Sequence, residues 1–250
     1  MLRGLYTAAT GMATQRSKMD VVSNNIVNAQ TAGFKKDNVI SSSFESVMLE
    51  ELVDSNVIGT ASEVGPYSFG THVDSVYTDF TQGSLESTER QSDLAIYGEG
   101  FFTVETPEGE RYTRSGNFDV DSDGYLVTSD GCYVLGENGR IQVNPDDFSV
   151  TAEGIVISEG VPADTLRIAG FLNSDSLRKQ GDNLYYSGET PVPASNYSIV
   201  QGALEGSNVD IADEIVDMMT VYRTYEASQK ILTMTDETLG LAVNSLGNLR

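Results

Sequence analysis

The most explicit chemical spacing in this chain is Asp119, Asp121, Asp123 and Gly124, with Asp130 at the twelfth position of the same stretch. Alternating carboxylates ahead of a Gly supply the oxygen ligands of a calcium loop. The departure is Asp130, where a bidentate Glu would be needed, and the flanks Phe118–Val120 and Tyr125–Thr128 read as strands rather than helices. The competing reading is an Asp/Gly-rich hairpin turn, and no metal or other cofactor is assigned. His72, the only histidine, precedes Val73-Asp74, but a hydrolase triad also needs a positioned nucleophile and an oxyanion site. Gly98-Glu99-Gly100 runs into Phe101-Phe102 and lacks the dinucleotide fingerprint. Carboxylate pairs are abundant, yet nothing in the sequence singles one out as a glycosidase pair. Cys132 is the only cysteine, which excludes an intrachain disulfide, and it reads as a small buried apolar residue in a strand.

The elements that must position these groups follow from length and charge. The chain has 250 residues and a formal charge of −22, enough for one large domain or two small ones. So acidic a surface repels phosphate and argues against nucleic acid as a partner. No apolar run approaches the about 18 residues of a membrane helix, and the N-terminus lacks the apolar stretch of a cleavable signal, so no membrane insertion is expected. The charge is uneven. Residues 1–36 carry five bases and one acid, residues 37–206 carry 29 acids and seven bases, and residues 207–250 carry seven acids and three bases. All six prolines lie between Pro66 and Pro193, so the acidity belongs to a Gly/Pro-rich middle with two ends of different character.

Both ends read as helices. Leu5, Ala8, Met12, Gln15, Met19, Val22 and Ile26 alternate spacings of three and four, ending before Gly33. Ile211, Ile215, Met218, Tyr222, Tyr225, Gln229, Leu232, Asp236, Leu239, Val243 and Leu246 keep the same period at the other end, and residues 207–239 contain neither Gly nor Pro. Ser207 with Asp210 resembles a capping box at the helix start. So narrow a stripe needs another helix against it. Either the two ends pair with each other, or they pack between subunits and gain their order on assembly.

The middle reads as β. Short apolar runs at 94–97, 101–105, 125–128, 133–135, 155–157 and 166–169 alternate with turn signals such as Asp123-Gly124, Asp130-Gly131 and Asn138-Gly139. The expected architecture is α+β. Residues 1–36 with 207–250 form a terminal helical coiled-coil domain, 37–80 a connecting segment with a short helix near Phe44–Val53, and 81–206 a mostly antiparallel β domain.

Ser23-Asn24-Asn25-Ile26-Val27-Asn28-Ala29-Gln30-Thr31-Ala32-Gly33-Phe34-Lys35 resembles the N-terminal signature of bacterial flagellar rod and hook proteins. Ser207-Asn208-Val209-Asp210 with Tyr222-Arg223-Thr224-Tyr225-Glu226-Ala227 resembles their C-terminal signature. Asp93-Leu94-Ala95-Ile96-Tyr97-Gly98-Glu99-Gly100-Phe101-Phe102 and Tyr112-Thr113-Arg114-Ser115-Gly116-Asn117-Phe118 resemble the start of their central β domain. The matches keep the family's order over nearly the whole chain. The resemblance implies a non-enzymatic axial subunit of the basal body, exported without a cleaved signal by the flagellar type III apparatus. It would polymerise with itself and meet other rod proteins and hook-side axial proteins. The terminal helices would form the inner coiled coil, with the apolar seam as interface, and the β domain the outer layer. The length is closer to a rod protein than to the longer hook proteins.

From the residues, Asn24, Asn25 and Asn28 either satisfy backbone groups at the helix end or bond to neighbouring subunits; Gly33 serves a turn and Phe34 packs. Asn208, Arg223, Tyr225 and Glu226 are the positions carried by the C-terminal signature. A reading of another class is a soluble acidic β-domain module, calcium-dependent or a carboxylate hydrolase.

Overall fold

The computed structural model describes residues 2–45, 47–50, 63–145, 147–181 and 183–247. The described residues fall into two compact units. A helical unit gathers Met1–Asn24, Asp37–Tyr77 and Ala212–Arg250; a β unit gathers Asn25–Lys36 and Thr78–Ile211.

In the helical unit, helix α1 spans Leu2–Val27 and helix α2 spans Ile211–Gly247. Their threonines do not interrupt them, because each hydroxyl donates to a carbonyl one turn back: Thr7 to Arg3, Thr14 to Thr10, Thr220 to Val216, Thr224 to Thr220. Strands Asp37–Ser43 and Thr71–Thr78 pair with each other. Helix α1 sits on this pair through Thr14, whose hydroxyl also reaches the Thr71 carbonyl at 3.3 Å. At Gly70 a Cβ would lie 2.0 Å from Thr10 Oγ1, so the approach requires glycine. Strands Val47–Glu50 and Glu63–Tyr67 form an antiparallel pair. The short helix expected near Phe44–Val53 is therefore corrected. Val47–Glu50 is strand, its backbone groups satisfied by a partner some fifteen residues on, a long-range preference that periodicity cannot display; residues 51–53 lie outside the described residues.

Among the described residues the strands of the β unit pair antiparallel, as its turn chemistry requires. Its largest sheet centres on the hairpin Phe101–Thr106 and Gly109–Thr113. It continues through Leu184–Ser187 to Leu177–Lys179 on one side, and through Tyr133–Val134 and Leu126–Thr128 to Phe118–Val120 on the other. Phe148–Val150, Ile155–Ser158 and Val161–Thr165 make a three-stranded sheet. Leu94–Gly98 pairs with Tyr197–Gln201, and Leu85–Ser87 with Ala203–Glu205. The main core buries Leu94, Ile96, Phe102, Val104, Phe118, Leu126 and Val134, with Cys132 half-buried at its edge just ahead of a strand. A second cluster stacks Phe101, Tyr112 and Tyr185 against Phe80 and Phe171. α2 begins at Ile211, so Asp210 stands at the position before the helix, and Ser207 instead accepts the Val209 N–H in the turn ahead of it. This corrects the capping-box reading: the cap falls three residues later, where Asp213 and Glu214 occupy the positive first turn.

Candidate functional site

The site is built where the two ends of the chain enter the β unit. After α1 the chain turns through Asn28–Thr31 and reaches Gly33, at φ +70°, whose N–H donates to the Glu205 carbonyl at 2.7 Å. A Cβ at Gly33 would lie 2.4 Å from the Ser115 backbone nitrogen. Phe34 is buried, with the Lys179 ammonium 3.9 Å over its ring, and that ammonium also donates to the Lys35 carbonyl at 2.9 Å.

Lys35 then points inward. Its ammonium donates to Glu205 Oε1 at 2.6 Å and to the Thr81 carbonyl at 2.7 Å. The other carboxylate oxygen of Glu205 accepts from Arg114 Nε at 2.6 Å, and Oε1 also accepts the Gly83 N–H at 3.0 Å. The rest of the Arg114 guanidinium donates to the carbonyls of Gly98 at 2.5 Å and of Gly100. Lys35, Arg114 and Glu205 are all buried. Burial pulls the Lys35 ammonium below its ordinary pKa, and the attraction of Glu205 opposes that fall. Asn208 completes the junction. Its side chain accepts the Lys36 N–H at 2.8 Å and donates to the Asp79 carbonyl at 2.8 Å, while the Asp79 N–H donates to the Lys36 carbonyl. Such a network can hold one backbone arrangement; it offers no nucleophile paired with a base.

The end of α1 and the start of α2 are thus tied to one junction. Gly11, sixteen residues before Val27, lies against Ser228, seventeen residues after Ile211, with 3.8 Å from a Gly11 Cβ to Ser228 Oγ. The helices therefore run antiparallel.

The seam divides between covered and open positions. On α1, Leu5, Met12, Met19, Val22 and Ile26 are half-buried and Ala8 is buried. On α2, Met218, Tyr225, Leu232 and Leu239 are half-buried, and so are Val221, Ser228, Thr235 and Ala242, one position round the helix. The other flank is open: Ile215 is 46%, Tyr222 51% and Val243 68% exposed, while Ile211, in line with the covered Met218 at the start of the helix, is 42% exposed. The Leu246 side chain lies outside the described residues. Sequence spacing could not reveal the division, because small polar residues cover as well as large apolar ones when a second helix lies close.

Among the signature residues, Asn25 is 1% exposed, Asn28 is half-buried and accepts from the Thr31 hydroxyl at 3.3 Å, and Asn24, Arg223 and Glu226 are exposed. Asp119, Asp121, Asp123 and Asp130 are all exposed and are not gathered. Asp119 pairs with Arg90 at 2.6 Å, Asp121 accepts from Ser122, and among the described residues no group of three metal-ligating side chains converges. Gly124 and Gly131, at φ +81° and +80°, close turns in this stretch. The junction's central members were missed as a group: Lys35 and Arg114 lay inside recognised signatures, but nothing in a single sequence links either to Glu205.

Three family profiles match the chain in order: "Flagella basal body rod protein" over residues 5–35, "Flagellar hook protein FlgE/F/G D1 domain" over 95–158, and "Flagellar basal body rod FlgEFG protein C-terminal" over 200–245. The flagellar basal-body rod protein FlgG of Bacillus subtilis is 35% identical over 98% of this chain and 99% of its own length. FlgG of Borreliella burgdorferi is 34% identical over 98% of each chain. The flagellar hook-basal body complex protein FlhO of Bacillus subtilis is 30% identical over the full length of both.

Proposed function

The chain belongs to the FlgE/F/G family of flagellar rod and hook proteins as a structural, non-enzymatic rod subunit, and from that premise we propose that it polymerises through the open flank of α2. The flank residues Ile215, Tyr222 and Val243 stand beside the face that already meets α1. A helix covered on one side of its apolar stripe and open on the other is one member of a coiled coil with more than two strands. Each large apolar side chain taken from exposed to buried contributes about 1.5–3 kcal/mol, so three per subunit offset part of the cost of association. A heterologous contact of this kind repeats without closing and builds a tube.

The open flank is the observation that carries the reading. On this reading, residues 1–36 with 207–250 form the assembly layer of an axle that transmits torque from motor to hook. Family membership implies assembly with other rod and hook proteins. The finer reading is that the subunit contacts its own copies first, then hook-side axial proteins, after leaving the cell through the flagellar type III export apparatus. Electron microscopy of hook–basal bodies from a strain lacking the gene, with a complemented control, tests it. Loss of the rod beyond a fixed point, with no hook, is expected; complete basal bodies would refute it.

A further inference from the structure

Helix α1 carries a second face, turned away from α2. Tyr6, Ala13, Asp20 and Val27 recur every seven residues and are all exposed, Tyr6 at 64% and Val27 at 76%. Arg16, also exposed, lies on the same face one turn after Ala13. The residues that approach α2 lie on the other side of the helix: Ala8 is buried and Gly11 lies against Ser228. Among the described residues Arg16 joins no ion pair. The stripe is as narrow as the seam and needs another helix against it.

The open flank of α2 has the same spacing. Tyr222, Gln229, Asp236 and Val243 also recur every seven residues and are exposed, so each stripe runs about 32 Å along its helix. Laid antiparallel, the two match end to end: Tyr6 falls opposite Val243, Ala13 opposite Asp236, Asp20 opposite Gln229 and Val27 opposite Tyr222. Both apolar ends are covered, and Arg16 comes within one turn of Asp236. A slip of one heptad in one direction brings Asp20 onto Asp236, like charge on like charge. A slip in the other sets Tyr6 on Asp236 and Asp20 on Tyr222. The polarity follows from the polymer. A heterologous contact repeated along an axle keeps every copy pointing the same way, so α1 of one copy runs antiparallel to α2 of the next, as it does within the subunit. Two α2 flanks would meet parallel, with Asp236 against Asp236.

We propose that the outer stripe of α1, formed by Tyr6, Ala13, Arg16, Asp20 and Val27, is the surface of a second copy that covers the open flank of α2. The inference rests on assembly through that flank and names its counterpart. The occupant is another copy of this chain because both halves of the contact, matched in length, polarity and charge, lie in one sequence. α2 is then held between two first helices, its own on one side and a neighbour's on the other. Arg16 and Asp236 fix the register, as flanking charges do in coiled coils.

The test is cysteine crosslinking in isolated hook–basal bodies, in a Cys132→Ser background that still builds rods, with assembly scored by electron microscopy. Tyr6→Cys with Val243→Cys is expected to give a ladder of disulfide-linked subunits on oxidation, and Tyr222→Cys with Val243→Cys none. Arg16→Asp is expected to lower the number of hook-bearing basal bodies several-fold while the purified subunit melts unchanged, and adding Asp236→Arg to restore it. Should the Tyr6→Cys with Val243→Cys pair build no rods, the charge exchange decides alone, and full assembly in Arg16→Asp overturns the inference. No ladder from that pair, where Tyr222→Asp with Val243→Asp blocks the rod, overturns the inference and leaves assembly through the α2 flank standing. Complete rods from Tyr222→Asp with Val243→Asp overturn both. A ladder from Tyr222→Cys with Val243→Cys would set α2 against α2 and overturns the inference as well.

Discussion

Lys35 and Glu205 stand 170 residues apart in sequence, yet their side chains meet at 2.6 Å with neither more than 1% exposed. One belongs to the segment leaving the first helix, the other to the strand leading into the second. Glu205 also binds Arg114, so one carboxylate holds two buried cations. Removing it leaves both without their counterion. Glu205→Gln is expected to destabilise the protein by about 3–5 kcal/mol, measured by urea unfolding of the full chain. A loss under about 1 kcal/mol would show that the network does not hold the junction.

Gly33 tests the same junction through the backbone. Its φ of +70° and the 2.4 Å approach of a Cβ to Ser115 N leave no room for a side chain. Gly33→Ala is expected to cost about 2 kcal/mol or more, against a negligible effect for Gly4→Ala, where nothing lies within 4 Å. Equal effects in thermal melts would contradict the tight docking.

Lys35 gives a pH dependence with a definite sign. Burial lowers its folded pKa below the ordinary 10.5, so between the two values the unfolded chain keeps a proton that the folded chain has released. Stability from this group therefore rises with pH across that window and is lost as pH falls through it. Tyr112 and Tyr197 act in the opposite sense. Burial raises both above 10.0, and their contribution falls as pH climbs through their raised values. Comparison with Lys35→Met isolates the lysine: the stability difference, unmodified minus variant, grows as pH rises towards the ordinary lysine value of 10.5. A flat difference across that range would contradict it.

The junction also sets what a protease leaves. Phe34 and Lys35 are buried in the β unit, and residues 25–36 belong to it along with 78–211. A fragment of residues 25–211 is expected to melt higher and resist trypsin longer than one of residues 37–206, which lacks Phe34, Lys35 and Asn208. Mass spectrometry of a digestion time course distinguishes them, and equal lifetimes would contradict the docking.

The helices and strands were legible because each rests on local rules. The three-four spacing marked α1 and α2, and the Asp-Gly turns separated strands that the structure places at 94–98, 101–106, 126–128 and 133–134. What was not legible depends on pairing across the chain. Val47–Glu50 reads as helix alone and becomes strand through Glu63–Tyr67. The Asp119–Asp130 pattern reads either as a calcium loop or as an Asp/Gly-rich hairpin turn; in the structure Asp119 pairs with Arg90, and Gly124 and Gly131 close turns. Glu205 carried no signal, since its importance comes from Lys35 and Arg114, 170 and 91 residues away. The α2 seam was legible as a stripe, while which flank meets α1 is fixed by the close approach at Gly11 and Ser228.

Assembly through that open flank is the central proposal. The most direct measurement introduces Tyr222→Asp with Val243→Asp, both at positions more than half exposed in the subunit, and images hook–basal bodies by electron microscopy while following the purified variant's melting. The account predicts an unchanged melting temperature with no rod beyond the point where this subunit enters. Complete rods from a variant with normal stability would contradict assembly through this face.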